Sequence, residues 1–147
     1  MSYLPAVPDE GRTIRRYPLT GSQTPLEGAP VLLASGAVSI CAVPNVSCLG
    51  FMACDYFDVL EIDPYNGDAM VYVAKPGSTF WLSGSTDPSD YSSIGIIYGM
   101  LVEATTEIAY VDISDTTTNL VVQCEDVDLV RLLYKVSILE SIRQLHA

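Results

Sequence analysis

Residues that could carry out covalent or acid–base chemistry are few in this chain, and their spacing does not suit it. There is one histidine, His146, in 147 residues. A Ser-His-Asp or Cys-His system needs a histidine held rigidly beside its nucleophile, whereas His146 lies one residue from a terminus, where chains usually fray. The segment Gly77-Ser-Thr-Phe-Trp-Leu-Ser-Gly84 is bounded by glycines but lacks the lysine of a phosphate-binding P-loop. The sequence therefore predicts a protein that is not an enzyme.

Oxygen ligands for a metal ion are plentiful, and they form two acidic clusters. The clusters contain, in turn, Asp55, Asp58, Glu61 and Asp63, and Glu125, Asp126 and Asp128. Calcium binds carboxylates of this kind, but neither cluster has the spacing of an EF-hand loop. We interpret both clusters as solvated charge on loops and strand faces, and we expect no metal.

The four cysteines have apolar neighbours, and none of them forms a Cys-x-x-Cys pair. They are Cys41, Cys48, Cys54 and Cys124. A zinc site would need closer ligands or more imidazoles. A disulfide between two of them stays open at the level of sequence, but reduced cysteines in the core fit their burial preference better. We expect no cofactor, and reduced thiols suit a reducing cytoplasm.

The chain is strongly acidic, and its few cations are unevenly distributed. Eighteen Asp and Glu stand against seven Lys and Arg, which gives a net charge of −11. Six of the cations lie near the two ends of the chain, with Lys75 between the two groups: Arg12, Arg15, Arg16, Arg131, Lys135 and Arg143. Phosphate binding needs a clustered cationic face, and anionic membranes attract basic segments. We therefore expect neither nucleic acid nor a membrane as a partner.

The composition predicts one soluble domain that is rich in apolar residues. Hydrophobic residues make up 49% of the chain and charged residues 17%, against about 25% charged in typical globular domains. Such a chain is expected to cover part of its apolar surface with a partner. We find no pattern of a secretory signal or of a membrane span, so we expect assembly in the cytoplasm where the protein is made.

Residues 1–30 differ from the rest of the chain because they are rich in proline. Five of the nine prolines fall here: Pro5, Pro8, Pro18, Pro25 and Pro30. Proline removes a backbone donor and fixes φ, so neither a regular helix nor a central strand fits. The segment is also too apolar for a solvated linker. We predict an extended N-terminal arm that lies along another surface, and the alternative, an arm folded back on its own domain, stays open.

From Val31 onward, short apolar runs alternate with turn residues. The candidate strands are 37–42, 49–53, 57–62, 70–74, 79–82, 94–102, 107–113, 120–124 and 130–139. Asp63-Pro-Tyr-Asn-Gly-Asp68 is the clearest hairpin signal, because Asn-Gly supplies the positions with positive φ. Short strands at this spacing predict an all-β domain over residues 31–147, either a small β-barrel or a β-sandwich.

Two patterns overlap in residues 130–145. Alternate residues from Val130 to Ile138 are apolar, as in a strand, while another set of apolar residues follows a helical stripe to Leu145. We predict a strand as far as about Ile138 and then a helical turn, with a longer helix left open.

Four segments occur in a familiar order. Val71-Tyr-Val-Ala-Lys-Pro-Gly-Ser-Thr-Phe80 is followed by an acidic, serine-rich loop and Ile94-Gly-Ile-Ile-Tyr-Gly-Met-Leu101. Then come Tyr110-Val-Asp-Ile-Ser-Asp-Thr-Thr-Thr-Asn119 and Val130-Arg-Leu-Leu-Tyr-Lys-Val136. This order resembles tailed-phage virion proteins known as head decoration, cement or capsid-stabilising proteins. The likeness covers residues 70–138. The sequence differs from those virion proteins just before the last strand. There it has Glu125-Asp-Val-Asp-Leu129, whereas they have residues resembling Asp-Pro-Val-Gly.

The resemblance implies a small β-barrel or sandwich that binds the outer face of an icosahedral shell in symmetric clusters, with a homotrimer favoured. The implied partners are the major capsid protein and further copies of the chain, and the implied location is the virion. Charged and apolar residues of the arm suit such contacts, and Phe80 with Trp81 suits a core or a subunit interface. The residues expected at the capsid or subunit interface are Tyr3, Leu4, Arg12, Ile14, Arg15, Arg16, Tyr17, Leu19, Phe80 and Trp81.

Two other functions stay open at the level of sequence. One is a different virion component, such as a tail or fibre-base module, which would be present in fewer copies. The other is a β-sandwich module that binds sugar or calcium, which would be stabilised by its ligand.

Overall fold

The computed structural model describes residues 3–21, 23–41, 47–56 and 68–146. Within these ranges the chain forms eleven β-strands, which confirms the predicted all-β class. In chain order they are β1 (Val7–Pro8), β2 (Ile14–Pro18), β3 (Pro30–Ala34), β4 (Ala37–Ile40), β5 (Gly50–Met52), β6 (Asp68–Val73), β7 (Phe80–Leu82), β8 (Ile97–Val102), β9 (Ala109–Asp112), β10 (Leu120–Asp128) and β11 (Leu133–Ile138). No helix in the described ranges has the length and apolar character to cross a membrane.

The strands form two antiparallel sheets. Sheet A has the order β1-β7-β11-β10-β8-β9, and sheet B has the order β2-β6-β5-β3-β4. A single parallel bridge lies just beyond one strand of each sheet: Gly84, two residues after β7, bridges Val111 of β9 in sheet A, and Leu19, the residue after β2, bridges Val38 of β4 in sheet B. Neither sheet is closed into a barrel, and the arrangement is consistent with the β-sandwich of the two predicted alternatives.

The buried apolar residues form two cores. Core A is lined by buried residues of sheet A that include Leu82, Tyr98, Met100, Val122 and Val136. Core B lies along sheet B and includes Val31, Val38, Leu49, Met52, Val71 and Val73. Alternate residues of a strand point to opposite faces, so Phe51 of β5 packs in core A while its neighbour Met52 packs in core B.

Gly50 allows β5 and β6 to lie close together between these cores. A Cβ atom at this position would lie 1.9 Å from the carbonyl oxygen of Tyr72 on β6. Any side chain at residue 50 would therefore push the two strands apart, which is why a short, buried strand begins with glycine here.

Residues 1–30 do not stand apart from the domain. β1 pairs with β7 in sheet A, and β2 pairs with residues 68–72 of β6 in sheet B. Of the two alternatives left open by the sequence, the described residues therefore show the arm folded back on its own domain. Proline permits this because β1 and β2 are edge strands, where a missing N–H costs no ladder bond. The expected boundary at residues 30 and 31 falls inside β3.

Most of the predicted strands are present, although several begin or end at other residues and β1 to β3 were not among the candidates. Eight of the nine candidate strands overlap β4 to β11, while the strand at 57–62 and the hairpin before Asp68 lie outside the described residues. The last strand begins at Leu133 and not at Val130, because residues 129–132 form a turn in which Leu132 has a φ of 60°. After Ile138 the chain makes one turn, in which the Leu139 carbonyl accepts hydrogen bonds from the N–H groups of Ile142 and Arg143.

Candidate interface surface

Four of the predicted interface residues lie at the exposed edge of sheet B, in β2 or just before it. Ile14, Arg15 and Arg16 of β2 are exposed, and Arg12 precedes the strand with its guanidinium 5.7 Å from the centroid of the Tyr72 ring. Arg16 forms a long salt bridge of 4.0 Å with Asp68. We call Arg12, Ile14, Arg15 and Arg16 the basic edge. It places three cations beside an exposed apolar side chain on an otherwise acidic molecule.

Tyr17 and Leu19, also predicted for the interface, serve the fold. Both are half-buried and pack against core B. Tyr17 pairs with Ala69 of β6, and Leu19 bridges Val38 of β4. Both side chains therefore contribute to core B.

Tyr3 and Leu4 lie against sheet A. The Tyr3 ring stacks on that of Tyr110, with centroids 3.9 Å apart and planes within 2°. Burial raises the pKa of Tyr110, and the neighbouring Tyr3 adds to that increase. Leu4 donates its backbone N–H to Ser83 Oγ and leaves its side chain 52% exposed. Of the two, Leu4 is the residue available for contact.

Phe80 and Trp81 point to opposite faces of β7. Phe80 is 2% exposed and packs in core A, so it is a core residue and not an interface residue. Trp81 lies half-buried on the outer face, where the Arg131 guanidinium carbon is 4.9 Å and Lys135 Nζ is 5.9 Å from the ring centroid. Cations over an indole face are attracted by its quadrupole. The alternation of the strand explains why only one member of the aromatic pair reaches the surface.

Trp81 belongs to a mixed aromatic, aliphatic and cationic surface that sequence reasoning largely missed. Val7, its partner across the strands, is 48% exposed, and the turn before β11 carries Val130 at 91% exposure. We call Val7, Trp81, Val130, Arg131 and Leu132 the Trp81 patch. Leu132 adopts the left-handed region, which is costly for a residue with a Cβ.

Asp128 holds the turn of the Trp81 patch in place. Its Oδ1 accepts the N–H groups of Val130 and Arg131, and its Oδ2 accepts Nε–H of Arg131 at 2.6 Å. Hydrogen bonds from the backbone and side chain of Arg131 lower the pKa of Asp128. An aspartate two residues before an exposed valine was a detectable turn signal, but the hydrophobic alternation that runs into Leu133 hid it.

A polar cleft of about 490 Å³ opens beside the Trp81 patch on the outer face of sheet A. Its lining includes four carboxylates, Glu10, Glu125, Asp126 and Glu140, and the cations Lys135 and Arg143. A β-bulge between Cys124 and Asp126 interrupts the register there, and bulges re-aim the side chains of the bulged strand. We call this depression the acidic cleft.

Both cations of the acidic cleft already have partners. Lys135 Nζ lies 3.2 Å from Asp9 Oδ2 and 3.2 Å from Glu10 Oε1, and these hydrogen bonds raise the pKa of Lys135. Arg143 donates Nε–H to the carbonyl of Leu145. Glu125 and Glu140 are exposed and form no salt bridge with any described residue.

The predicted acidic clusters are not held together as units. Glu125 and Asp126 line the acidic cleft, whereas Asp128 faces Arg131. Asp55 accepts the backbone N–H of Glu27, and Asp58, Glu61 and Asp63 lie outside the described residues. Within the described ranges no group of three or more His, Cys, Asp or Glu side chains is arranged to hold a metal ion.

No protein-family model, no curated protein and no solved structure matches this chain.

Proposed function

We propose that this chain is a structural virion protein that binds the outer surface of a capsid and stabilises the shell. Its partners are the major capsid protein and other copies of itself, and its place is the virion, assembled in the host cytoplasm. The likeness of residues 70–138 to head decoration and cement proteins directs the proposal to a capsid. The Trp81 patch supplies the surface for it.

The observation that carries the proposal is the stacking of Arg131 on Trp81 beside the exposed Val130. Tryptophan and arginine are the residue types that most often dominate the energy of protein interfaces. Here the arginine is already ordered by Asp128, so little side-chain entropy remains to be lost on binding. A side chain as exposed as Val130 adds apolar area that only a partner can cover.

The charge of the molecule fits a protein displayed on a particle in many copies. A net charge of −11 keeps the outward surfaces soluble and mutually repulsive. Modest contacts are sufficient when several are made at once, because the later ones form at high effective concentration.

The proposal is tested by counting this chain in purified virions that encode it. Quantitative mass spectrometry against the major capsid protein should give copies on the order of hundreds, as expected of a protein repeated over an icosahedral shell. A few copies per particle would instead fit a tail or fibre-base module, and absence from the particle would reject a virion role.

The contact surface is tested by adding variants to particles that lack the chain. We expect Val130→Asp to reduce occupancy strongly, because it places a charge at the centre of the buried contact. Tyr91→Asp is a matched control, since Tyr91 is 60% exposed in the loop before β8 and outside the Trp81 patch. Equal occupancy of both variants would show that the Trp81 patch does not face the shell.

A further inference from the structure

The acidic cleft has a net excess of negative charge that the molecule does not neutralise. Its two cations are engaged by Asp9, Glu10 and the Leu145 carbonyl, while Glu125 and Glu140 project unpaired from the described surface. Leu139 and Ile138 add apolar lining. A ligand that complements the cleft therefore carries positive charge next to an aliphatic group.

The basic edge has this composition. Arg12 and Ile14 lie on the same face of this edge, next to Tyr72, and Ile14 is 39% exposed, while Arg15 is an exposed cation on the other face of the strand. Three of the seven Lys and Arg residues lie within residues 12–16. Guanidinium groups bind carboxylates through paired hydrogen bonds, so the chemistry of the basic edge and that of the acidic cleft match.

The two surfaces also lie next to each other on one molecule. Glu10 lines the acidic cleft, and Arg12 follows it by two residues, a distance of at most about 7 Å along an extended chain. Two neighbouring patches of opposite charge are self-complementary under a two-fold rotation. Each patch then meets the other patch of a second copy, and every contact is made twice.

We infer that the acidic cleft is a docking site for a second copy of this chain, whose basic edge occupies it in a two-fold pair. This goes beyond the proposed function, since it concerns the purified protein and does not depend on a capsid. It also places the pairing on other residues than the Trp81 patch, which leaves that patch for a different partner.

Pairing of two β2 edges with each other is disfavoured by the same charges. Antiparallel addition of β2 to β2 would bring the arginines of both copies together, and like charges across strands destabilise a sheet. Docking into the acidic cleft replaces that repulsion with attraction. At about 0.1 M salt the Debye length is about 10 Å, so the mutual repulsion of two acidic molecules is largely screened while contacts of 3–4 Å persist.

Charge reversal followed by mixing tests the inference. Light scattering of the wild type at about 0.1 M salt should give twice the 15.9 kDa mass of one chain, and about 1 M salt should shift it toward one chain, because salt screens exposed ion pairs. R12E should raise the dissociation constant about tenfold or more. The control T116E/T117E, which changes the net charge equally but lies in the exposed loop between β9 and β10, should leave the dissociation constant unchanged.

The mixing step uses one variant of each surface. R12E/R15E makes both surfaces acidic, and E125K/E140K makes both basic, so each variant alone should remain a single chain. In an equimolar mixture every contact is again between opposite charges, and the double mass should return. Circular dichroism of each variant confirms that it is folded before it is mixed.

Three results would overturn the inference: a wild type with the mass of one chain at all concentrations, association that survives R12E/R15E, or folded variants that fail to pair when mixed. None of these results bears on the copy number in virions, so failure here and failure of the proposed function are distinguishable.

Discussion

Phe51 of β5 and Phe80 of β7 meet edge to face, with ring centroids 5.0 Å apart and planes inclined at 68°. Phe51 belongs to sheet B and Phe80 to sheet A, and both are buried in core A. The pair is therefore a direct link between the two sheets. Aromatic pairs of this geometry contribute about 0.5–1.5 kcal/mol beyond the area that they bury.

Loss of this link should destabilise the whole molecule. We expect Phe51→Ala to lower the free energy of unfolding by about 3–5 kcal/mol, because it removes apolar contacts and leaves a cavity between the sheets. Urea denaturation measures the change, and Tyr91→Ala at an exposed loop position should alter it by less than about 0.5 kcal/mol. In a double-mutant cycle of Phe51→Leu and Phe80→Leu, strictly additive changes in the free energy of unfolding would contradict a direct coupling between the rings.

The N-terminal segment should prove inseparable from the domain. Deleting residues 1–18 removes β1 and β2, and it uncovers the backbone edge of β6 beside the buried Val71 and Val73. We expect the truncated protein to lose cooperative unfolding and to aggregate, as unprotected edges do. Thermal unfolding followed by circular dichroism checks this, with Arg15→Ala, at an exposed position, as the control. If the truncated chain unfolded at the wild-type temperature, residues 1–18 would be an arm that the fold of the domain does not need.

The loop between β9 and β10 should make stability depend on acid pH. Hydrogen bonds from the N–H groups of Thr118 and Asn119 lower the pKa of Asp115 to about 2, below its value of about 3.9 in an unfolded chain. The ionised form therefore favours the folded state. Its stabilisation is complete above about pH 4 and is lost as the pH falls through about 2.

Comparison with Asp115→Asn isolates this contribution from those of other carboxylates. One amide oxygen cannot accept all the hydrogen bonds that Oδ1 and Oδ2 receive. We expect the variant to melt at a lower temperature at pH 7, and the difference to shrink between pH 4 and pH 2. A difference that is constant over this range would show that the charge of Asp115 plays no part.

The thiols should react in the order of their exposure. Cys41, Cys48 and Cys124 are buried, while Cys54 is half-buried. Burial raises the pKa of Cys48, with a further increase from Cys41, and it raises the pKa of Cys124 to about 11. Because the thiolate is the reactive form, we expect one fast thiol in the native protein at pH 8, measured with a disulfide reagent, and four after denaturation. Cys54→Ser should abolish the fast phase; a fast phase that persists would assign it to a buried thiol.

Local patterns in the sequence were sufficient to locate most strands. The candidate strands 70–74 and 79–82 depend on runs of neighbouring residues, so they could be recognised without knowledge of the fold. The start of β11 could not, because Val130 and Leu132 continue the apolar alternation while Asp128 bends the backbone through hydrogen bonds to the turn.

Recognition of the candidate interface was less complete for a related reason. Trp81, Ile14 and Arg15 were predicted and are on the surface, whereas Phe80, Tyr17 and Leu19 were predicted and pack inward. An apolar residue looks the same in a sequence whether it contacts its own core or a partner. The acidic cleft combines Glu10, Glu125 and Glu140 from distant parts of the chain, and no spacing rule could have joined them.

The sequence by itself determined the all-β class, the strongly acidic charge and the concentration of arginine and proline in the first thirty residues, because these are properties of composition and of neighbouring residues. Only the tertiary structure decided that the first thirty residues provide an edge strand to each sheet, that Phe51 of sheet B packs in the same core as Phe80 of sheet A, and that Arg131 stacks on Trp81. Such pairings join residues far apart in the chain, and the free energy that selects among them comes from packing and burial.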